Sequence, residues 1–330
     1  MNKFAAKTVS TFLAACTSLF APFSAFSLFA SADTGNISSL EEAMRKAPVI
    51  SESELVFPTA DGYTLSLFGS ENKQVITLDG KVISPLTDMT VNLIYKATAV
   101  DGTVIEGEEN VEITVPGQYE KTPQDNPKPD VLPSLREWKG FTGEFVLTDD
   151  SKIVSTDPAL DSAANILKEY ISKVSGISLQ VVSDDSAVSG NIVLSLGYDE
   201  SIGDEGYFME IGDNVSLSAY SVTGIIYGTS TISQILYGSE NKNTLPKGLI
   251  RDYPAYEVRG LMLDIARTWF DIDTLTQLGK YMAYYKLNTL HLHLNESKIR
   301  VENETQPSFT FDSPQYYTKQ QYSDFTDTLA

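Results

Sequence analysis

Residues 289–295 constrain this chain most. Thr289, His291, His293 and Asn295 alternate with Leu290, Leu292 and Leu294, so a strand here puts leucines on one face and polar groups on the other. It follows a helix capped by Asp271, with Leu275, Leu278, Met282 and Tyr285 on one face, and an earlier strand over residues 259–266. Strand, helix, strand implies parallel pairing through a right-handed crossover. In an open α/β sheet both faces lie under helices, and a polar parity would be costly. A barrel resolves the conflict, because leucines pack under the helical ring while the polar parity faces the lumen near its mouth. Asp264 holds the matching parity in the first strand, opposite Leu261, Leu263 and Ile265. Thr318 then caps a further helix with Tyr322, Phe325 and Leu329 on one face.

The remainder divides by period and punctuation. Lys3 and Lys7 precede an apolar run closed by Ala30-Ser31-Ala32, which predicts a secretory signal peptide over residues 1–32, cut before Asp33. Cys16, after Leu13-Ala14-Ala15, offers a lipoprotein site instead, but the apolar stretch runs well beyond it and favours plain cleavage. After signal removal no segment is long and apolar enough to span a bilayer. Residues 33–48 read as a mobile leader. Residues 49–116 carry short β-rich runs with turns at Asp79-Gly80 and Asp101-Gly102, and predict an immunoglobulin-like β-sandwich. Residues 117–133 form a Pro-rich, solvated linker. Residues 134–254 predict a two-layer α/β domain. Its first helix is announced by Asp157-Pro158, apolar at Leu160, Ala164, Leu167, Ile171 and Val174, and ended by Gly176; its second covers residues 223–236. Residues 255–330 hold the start of a (β/α)8 TIM barrel, truncated, so the fold class is multidomain.

Charge narrows the partners. The formal net charge is −20, and removing Lys3 and Lys7 makes it −22. Phosphate contacts need Lys and Arg, so nucleic acid is excluded and a neutral substrate fits better. Cys16 is the only cysteine, so the exported part cannot use disulfides, which fits a secreted or cell-surface bacterial protein.

Barrel enzymes keep ligand-contacting residues at the C-terminal ends of their strands. His293 lies nearest that end of the second strand, and Arg267 and Glu296 lie just beyond theirs. Asp264 either faces the site or anchors the barrel floor. Two histidines at i and i+2 without an accompanying Cys, Asp or Glu at ligand spacing make a poor metal site, so no metal is expected.

Residues Val258-Arg259-Gly260-Leu261-Met262-Leu263-Asp264-Ile265-Ala266-Arg267 and Met282-Ala283-Tyr284-Tyr285-Lys286-Leu287-Asn288-Thr289-Leu290-His291-Leu292-His293-Leu294 resemble the opening of the catalytic barrel of glycoside hydrolase family 20. Residues 223–236 resemble the helix that closes the family's accessory α/β domain. The resemblance does not extend over residues 49–116. It implies removal of terminal β-linked N-acetylhexosamine from glycans with retention, the substrate's own 2-acetamido oxygen acting as nucleophile. It also implies a Glu general acid, an adjacent Asp that orients the acetamide, and no cofactor. Arg267 falls on the family arginine that grips sugar hydroxyls, and Glu296 falls where the family usually has Asp beside the same sugar. The catalytic Asp-Glu pair belongs to a later barrel strand, so no catalytic residue is expected within these 330 residues, and activity of this chain alone is not expected. Asn295-Glu296-Ser297-Lys298-Ile299-Arg300-Val301-Glu302 replaces the family's usual Asp-Asp-Gln and Trp-Arg, and Gln315 stands where a His is common. Both departures resemble the lacto-N-biosidase side of the family. A non-catalytic secreted carbohydrate-binding protein is the other reading left open.

Overall fold

The computed structural model describes residues 39–155, 157–183, 189–294 and 316–329. The expected signal segment with Cys16 lies outside the described residues, as do Asn295, Glu296 and Gln315. Among the described residues no helix is long and apolar enough to cross a membrane.

The first unit is a β-rich layer pair. Helix α1 (Leu40–Arg45) is followed by β1 (Val49–Ser51), β2 (Glu54–Val56), β3 (Tyr63–Ser70), β4 (Met89–Ala99), β5 (Val104–Glu106) and β6 (Val111–Val115). Strand β4 is the centre and pairs antiparallel with β3, β5 and β6. Its alternation buries Val91, Leu93, Tyr95 and Ala97. Leu55 of β2 and Val75, Ile76 and Val82 from the intervening loop join this face in one core. Residues 39–48 are not a free leader. Ser39 caps α1 by accepting from the Glu42 N–H at 3.2 Å, and Ala43 is fully buried against Leu65 and Ala97. The short apolar stripe of α1 covers sheet surface that would otherwise face water.

The Pro-rich segment is also not a solvated spacer. Its backbone finds partners on both neighbouring units: Gln118 and Tyr119 donate to the Pro85 and Leu86 carbonyls, and Asn126 donates to Phe141 O while accepting from Trp138 Nε1. Further on, Gln234 holds Leu132 by both its N–H and its C=O at 2.8 Å. Unpaired backbone groups near a surface seek such partners, and a Pro-rich extended chain has many to offer.

The second unit contains β7 (Glu137–Val146), β8 (Lys152–Ser155), α2 (Asp161–Ser175), β9 (Gln180–Val182), β10 (Ile192–Leu196), β11 (Tyr207–Ile211), β12 (Val215–Ala219), α3 (Val222–Gly238) and β13 (Thr244–Asp252). They make a seven-stranded mixed sheet in the order β7-β13-β11-β12-β10-β8-β9, antiparallel from β7 to β12 and parallel from β12 to β9. Local signals set α2: Asp157 accepts from the Ala159 N–H, a 3-10 turn follows at Pro158–Leu160, and Gly176 ends the helix at φ 76°. Helix α3 is capped by Ser221 and buried on nearly every side, as expected of an element apolar all round. Gly224 and Gly228 let it approach the sheet, since a Cβ at those positions would lie 2.2 Å from Gly206 O and 2.3 Å from Leu217 Cδ1.

The last elements are β14 (Gly260–Asp264), α4 (Ile272–Tyr284), β15 (Thr289–His293) and α5 (Lys319–Leu329). Strands β14 and β15 are parallel. Leu263, Leu290, Leu292 and Leu294 pack with Ile265, Leu275, Tyr317 and Phe325 beneath the helices. Tyr285, expected on the buried face of α4, is 45% exposed, whereas Gly279 is buried where a Cβ would lie 2.3 Å from Leu329 Cδ2. Asp271 caps α4 and Thr318 caps α5, the latter through reciprocal bonds with Gln321.

Candidate functional site

The parallel register sets Asp264 beside His293, Met262 beside His291 and Gly260 beside Thr289. The leucine parity goes under the helices, and the opposite parity carries Met262, 61% exposed, with His291 also exposed. Strand β14 ends sooner than its apolar pattern suggests. The Ile265 and Ala266 N–H groups both turn to His293 O, at 3.2 and 3.1 Å, and Asp264 Oδ1 accepts from the Ala266 and Arg267 N–H groups at 3.0 and 3.1 Å. A side chain that caps its own downstream backbone makes a turn, and this one presents Arg267. Arg267 Nε then meets Asp264 Oδ2 at 3.3 Å, with the guanidinium side chain 67% exposed. Such an exposed pair is worth at most about 1 kcal/mol, so its consequence is orientation rather than stability. Asp264, Arg267 and His293 are thus brought to one end of the strand pair. Glu296 lies outside the described residues.

Sequence reasoning passed over two aromatic residues beside this turn. Trp269 stacks on Tyr317 with centroids 4.5 Å apart, and the Tyr317 hydroxyl donates to Phe270 O at 2.5 Å. The pair ties the loop after β14 to the entrance of α5. Its only sequence signal is an aromatic doublet placed two residues after Arg267.

At the opposite end, where both strands begin, a cleft of about 370 Å³ separates the strand pair from the α/β unit. Two charge clusters line it, and neither was anticipated. Arg259, one residue before β14, forks onto Glu205 with Nη1 to Oε2 at 3.0 Å and Nη2 to Oε1 at 2.8 Å. Asn288, one residue before β15, donates to the same Glu205 at 3.1 Å and accepts from the Arg259 backbone N–H at 2.9 Å. Burial would raise the Glu205 pKa, but hydrogen bonds from Arg259 and Asn288 outweigh it and hold the carboxyl below its ordinary value. Burial first, then the Glu205 charge, push Tyr227 beside this pair up to about 12.

In the second cluster Lys286 Nζ donates to Asp252 Oδ2 at 2.7 Å and to the Tyr207 hydroxyl at 3.1 Å. Asp252 also accepts from the Tyr207 hydroxyl at 2.9 Å and from the Arg136 N–H at 2.9 Å. Both charged side chains are 8% exposed. Lys286 follows α4 with φ 59°, a left-handed position that usually belongs to Gly or Asn. A lysine persists there only where surrounding contacts over-determine it.

Against known families, the profile "Glycosyl hydrolase family 20, domain 2" matches residues 128–253, and "Glycosyl hydrolase family 20, catalytic domain" matches residues 256–327. The chain belongs to glycoside hydrolase family 20. Among its relatives, a β-N-acetylhexosaminidase of Cellulomonas fimi is 30% identical over 170 residues, 50% of this chain and 34% of that protein. A lacto-N-biosidase of Bifidobacterium bifidum is 29% identical over 203 residues, 60% of this chain and 17% of the relative. The solved GH20 β-N-acetylhexosaminidase from Streptomyces coelicolor A3(2) shares the fold at TM-score 0.53 and 24% identity, covering 62% of this chain and 45% of that one. The matched part of this family 20 chain spans about a third of the Cellulomonas relative and less of the Bifidobacterium one.

Proposed function

We propose that the protein is an exo-acting glycoside hydrolase that releases terminal β-linked N-acetylhexosamine from glycans with retention, the substrate's 2-acetamido oxygen serving as nucleophile. The observation that carries this reading is the pairing of Asp264 with His293 at the C-terminal ends of two parallel strands, with Arg267 tethered beside them. That is the end at which barrel enzymes keep their ligand contacts. In this reading β14, α4 and β15 open a (β/α)8 barrel whose lumen takes the face bearing Met262, His291 and His293. Arg267 offers a planar fork of permanent charge to hydroxyls of the terminal sugar. Asp264 holds that fork in place, His293 adds a ring nitrogen, and Glu296 a carboxylate beside the same sugar.

None of these groups protonates the leaving oxygen. That step needs a carboxylic acid at the glycosidic bond, which the family carries on a later barrel strand, next to the Asp that orients the acetamide. Asp264, Arg267, His293 and Glu296 make up the sugar-binding side of the site in this reading. Names of the relatives support the substrate class, and the apolar leader with its small-residue exit supports export to where glycans are met. Residues 49–116, immunoglobulin-like in this reading, support the α/β unit.

The test titrates N-acetylglucosamine into the chain and offers it an aryl N-acetyl-β-glucosaminide. Weak binding, lost in Arg267→Ala, without turnover is the expected result. Robust turnover would overturn the placement of the general acid on a later strand, and binding indifferent to Arg267→Ala would remove the pocket. A disaccharide-releasing, lacto-N-biosidase-type specificity is favoured by one observation, the departure of residues 295–302 from the hexosaminidase pattern. Stronger competition by lacto-N-biose than by N-acetylglucosamine would select it.

A further inference from the structure

The two charge clusters sit at the beginnings of β14 and β15, while Asp264, Arg267 and His293 sit at their ends. Five residues of strand, at about 3.3 Å each, separate them. The clusters lie at the opposite end of the strands from Asp264, Arg267 and His293, and they fix both strands from below. Glu205 is the shared post: it receives Arg259 from the approach to one strand and Asn288 from the approach to the other. Asn288 then closes the bracket, accepting from Arg259 N–H and donating to Glu257 O. Backbone bonds continue it, since the Asn288 and Thr289 N–H groups both donate to Arg259 O, at 2.9 and 3.3 Å. Lys286 forms the second post. Its carbonyl accepts from Arg259 Nε at 2.8 Å while its ammonium is sunk on Asp252 and Tyr207 of the α/β sheet. Asp252 and Tyr207 are themselves cross-strand partners in β13 and β11, so the anchor is a rigid one.

A slip of one residue between parallel strands moves every side chain to the other face. Here such a slip would set Asp264 beside a leucine and turn His293 away. The cluster residues hold the one register in which they meet. We infer that Glu205, Arg259, Asn288, Asp252 and Lys286 are positioning residues, through which the α/β unit sets the register of β14 against β15 and so assembles the sugar-contacting end. The inference rests on the site proposed above for its consequence, but register itself can be read without any sugar.

The chain supplies its own reporters. It has two histidines, His291 and His293, both in β15, and two tryptophans, Trp138 in the α/β unit and Trp269 beside the site. Imidazole and indole resonances of the full chain are recorded for the wild type, Glu205→Gln, Lys286→Met and the reciprocal double variant Glu205→Arg with Arg259→Glu. Both single variants are expected to shift or broaden the two histidine signals and the Trp269 indole, with the Trp138 indole unchanged. The double variant is expected to restore the histidine signals toward wild type. Unchanged histidine and Trp269 signals in both single variants would overturn the inference, as would Trp138 moving with them in every variant, the mark of a general loss of stability. N-acetylglucosamine added to the wild type separates the two claims: if it leaves the histidine signals unmoved, the sugar site fails while the register result stands on its own.

Discussion

The seven-stranded unit and the strand pair beside it are stabilised in opposite ways. In the first, one continuous core runs from Val131 to Ile250 and takes apolar side chains from the sheet, both helices and the Pro-rich strap. In the second, the described core is small, and Met262, on the face opposite the leucines, is 61% exposed among the described residues. Apolar burial at about 25 cal/mol per Å² holds the first together, whereas the second borrows its geometry from buried charges anchored in its neighbour. Order in a βαβ piece with a small described core can therefore come from polar contacts, which are directional where apolar contacts are not.

The largest expected effect lies at the far side of the α/β unit. Arg251 and Glu137, 5% and 1% exposed, pair at 3.0 Å, and the cluster reaches into the first β unit through Asn72, Gln74 and Leu86. Arg251→Ala leaves a buried carboxylate without its partner and should cost about 3–5 kcal/mol in denaturant unfolding. Tyr253 and Leu86 still bond Glu137, so a loss under about 1 kcal/mol would show that these neutral donors suffice. Next, Gly224→Ala forces a methyl onto Gly206 O and should cost about 1–3 kcal/mol, with the transition of the whole α/β unit lowered. Lys286→Met sharpens the contrast. Asp252 keeps its bonds from Tyr207 and Arg136, so the loss should be local, about 1–3 kcal/mol, seen as faster hydrogen exchange in β14 and β15 and not in β11 or β13.

What could be read in the sequence divides along the same line. Caps and parities are local: Asp157-Pro158, Gly176, Asp271 and Thr318 mark helix ends by chemistry within four residues, and the leucine alternation of β15 needs no partner to be seen. The grouping of Asp264, Arg267 and His293 followed from that parity together with the family resemblance. The clusters could not be found so. Asn72 meets Tyr253 across 181 positions and Glu205 meets Arg259 across 54, and an isolated Lys or Glu reads as surface charge until its partner is known. The strap failed for a related reason: Pro-rich polar composition reports only that a segment lacks its own core, not that Trp138 and Gln234 wait to hold it.

The smallest effect is the pH dependence of the strand bracket. Glu205 is held below its ordinary value of 4.5, so its ionised, bonded form adds stability that is complete above that value and is lost as pH falls through the lower folded value. Arg259 stays charged throughout, so protonating Glu205 breaks the fork without creating a compensating pair. Partial exposure of both groups screens the effect. Exchange of the Asn288 and Thr289 amides should therefore be flat in intrinsic-rate-corrected protection from neutral pH down to about 4.5 and decline only below it. In Glu205→Gln the same amides should show lower protection and no such step. A step that persists in Glu205→Gln would assign the acid sensitivity to another carboxylate and leave the strand pair ordered by its leucines alone.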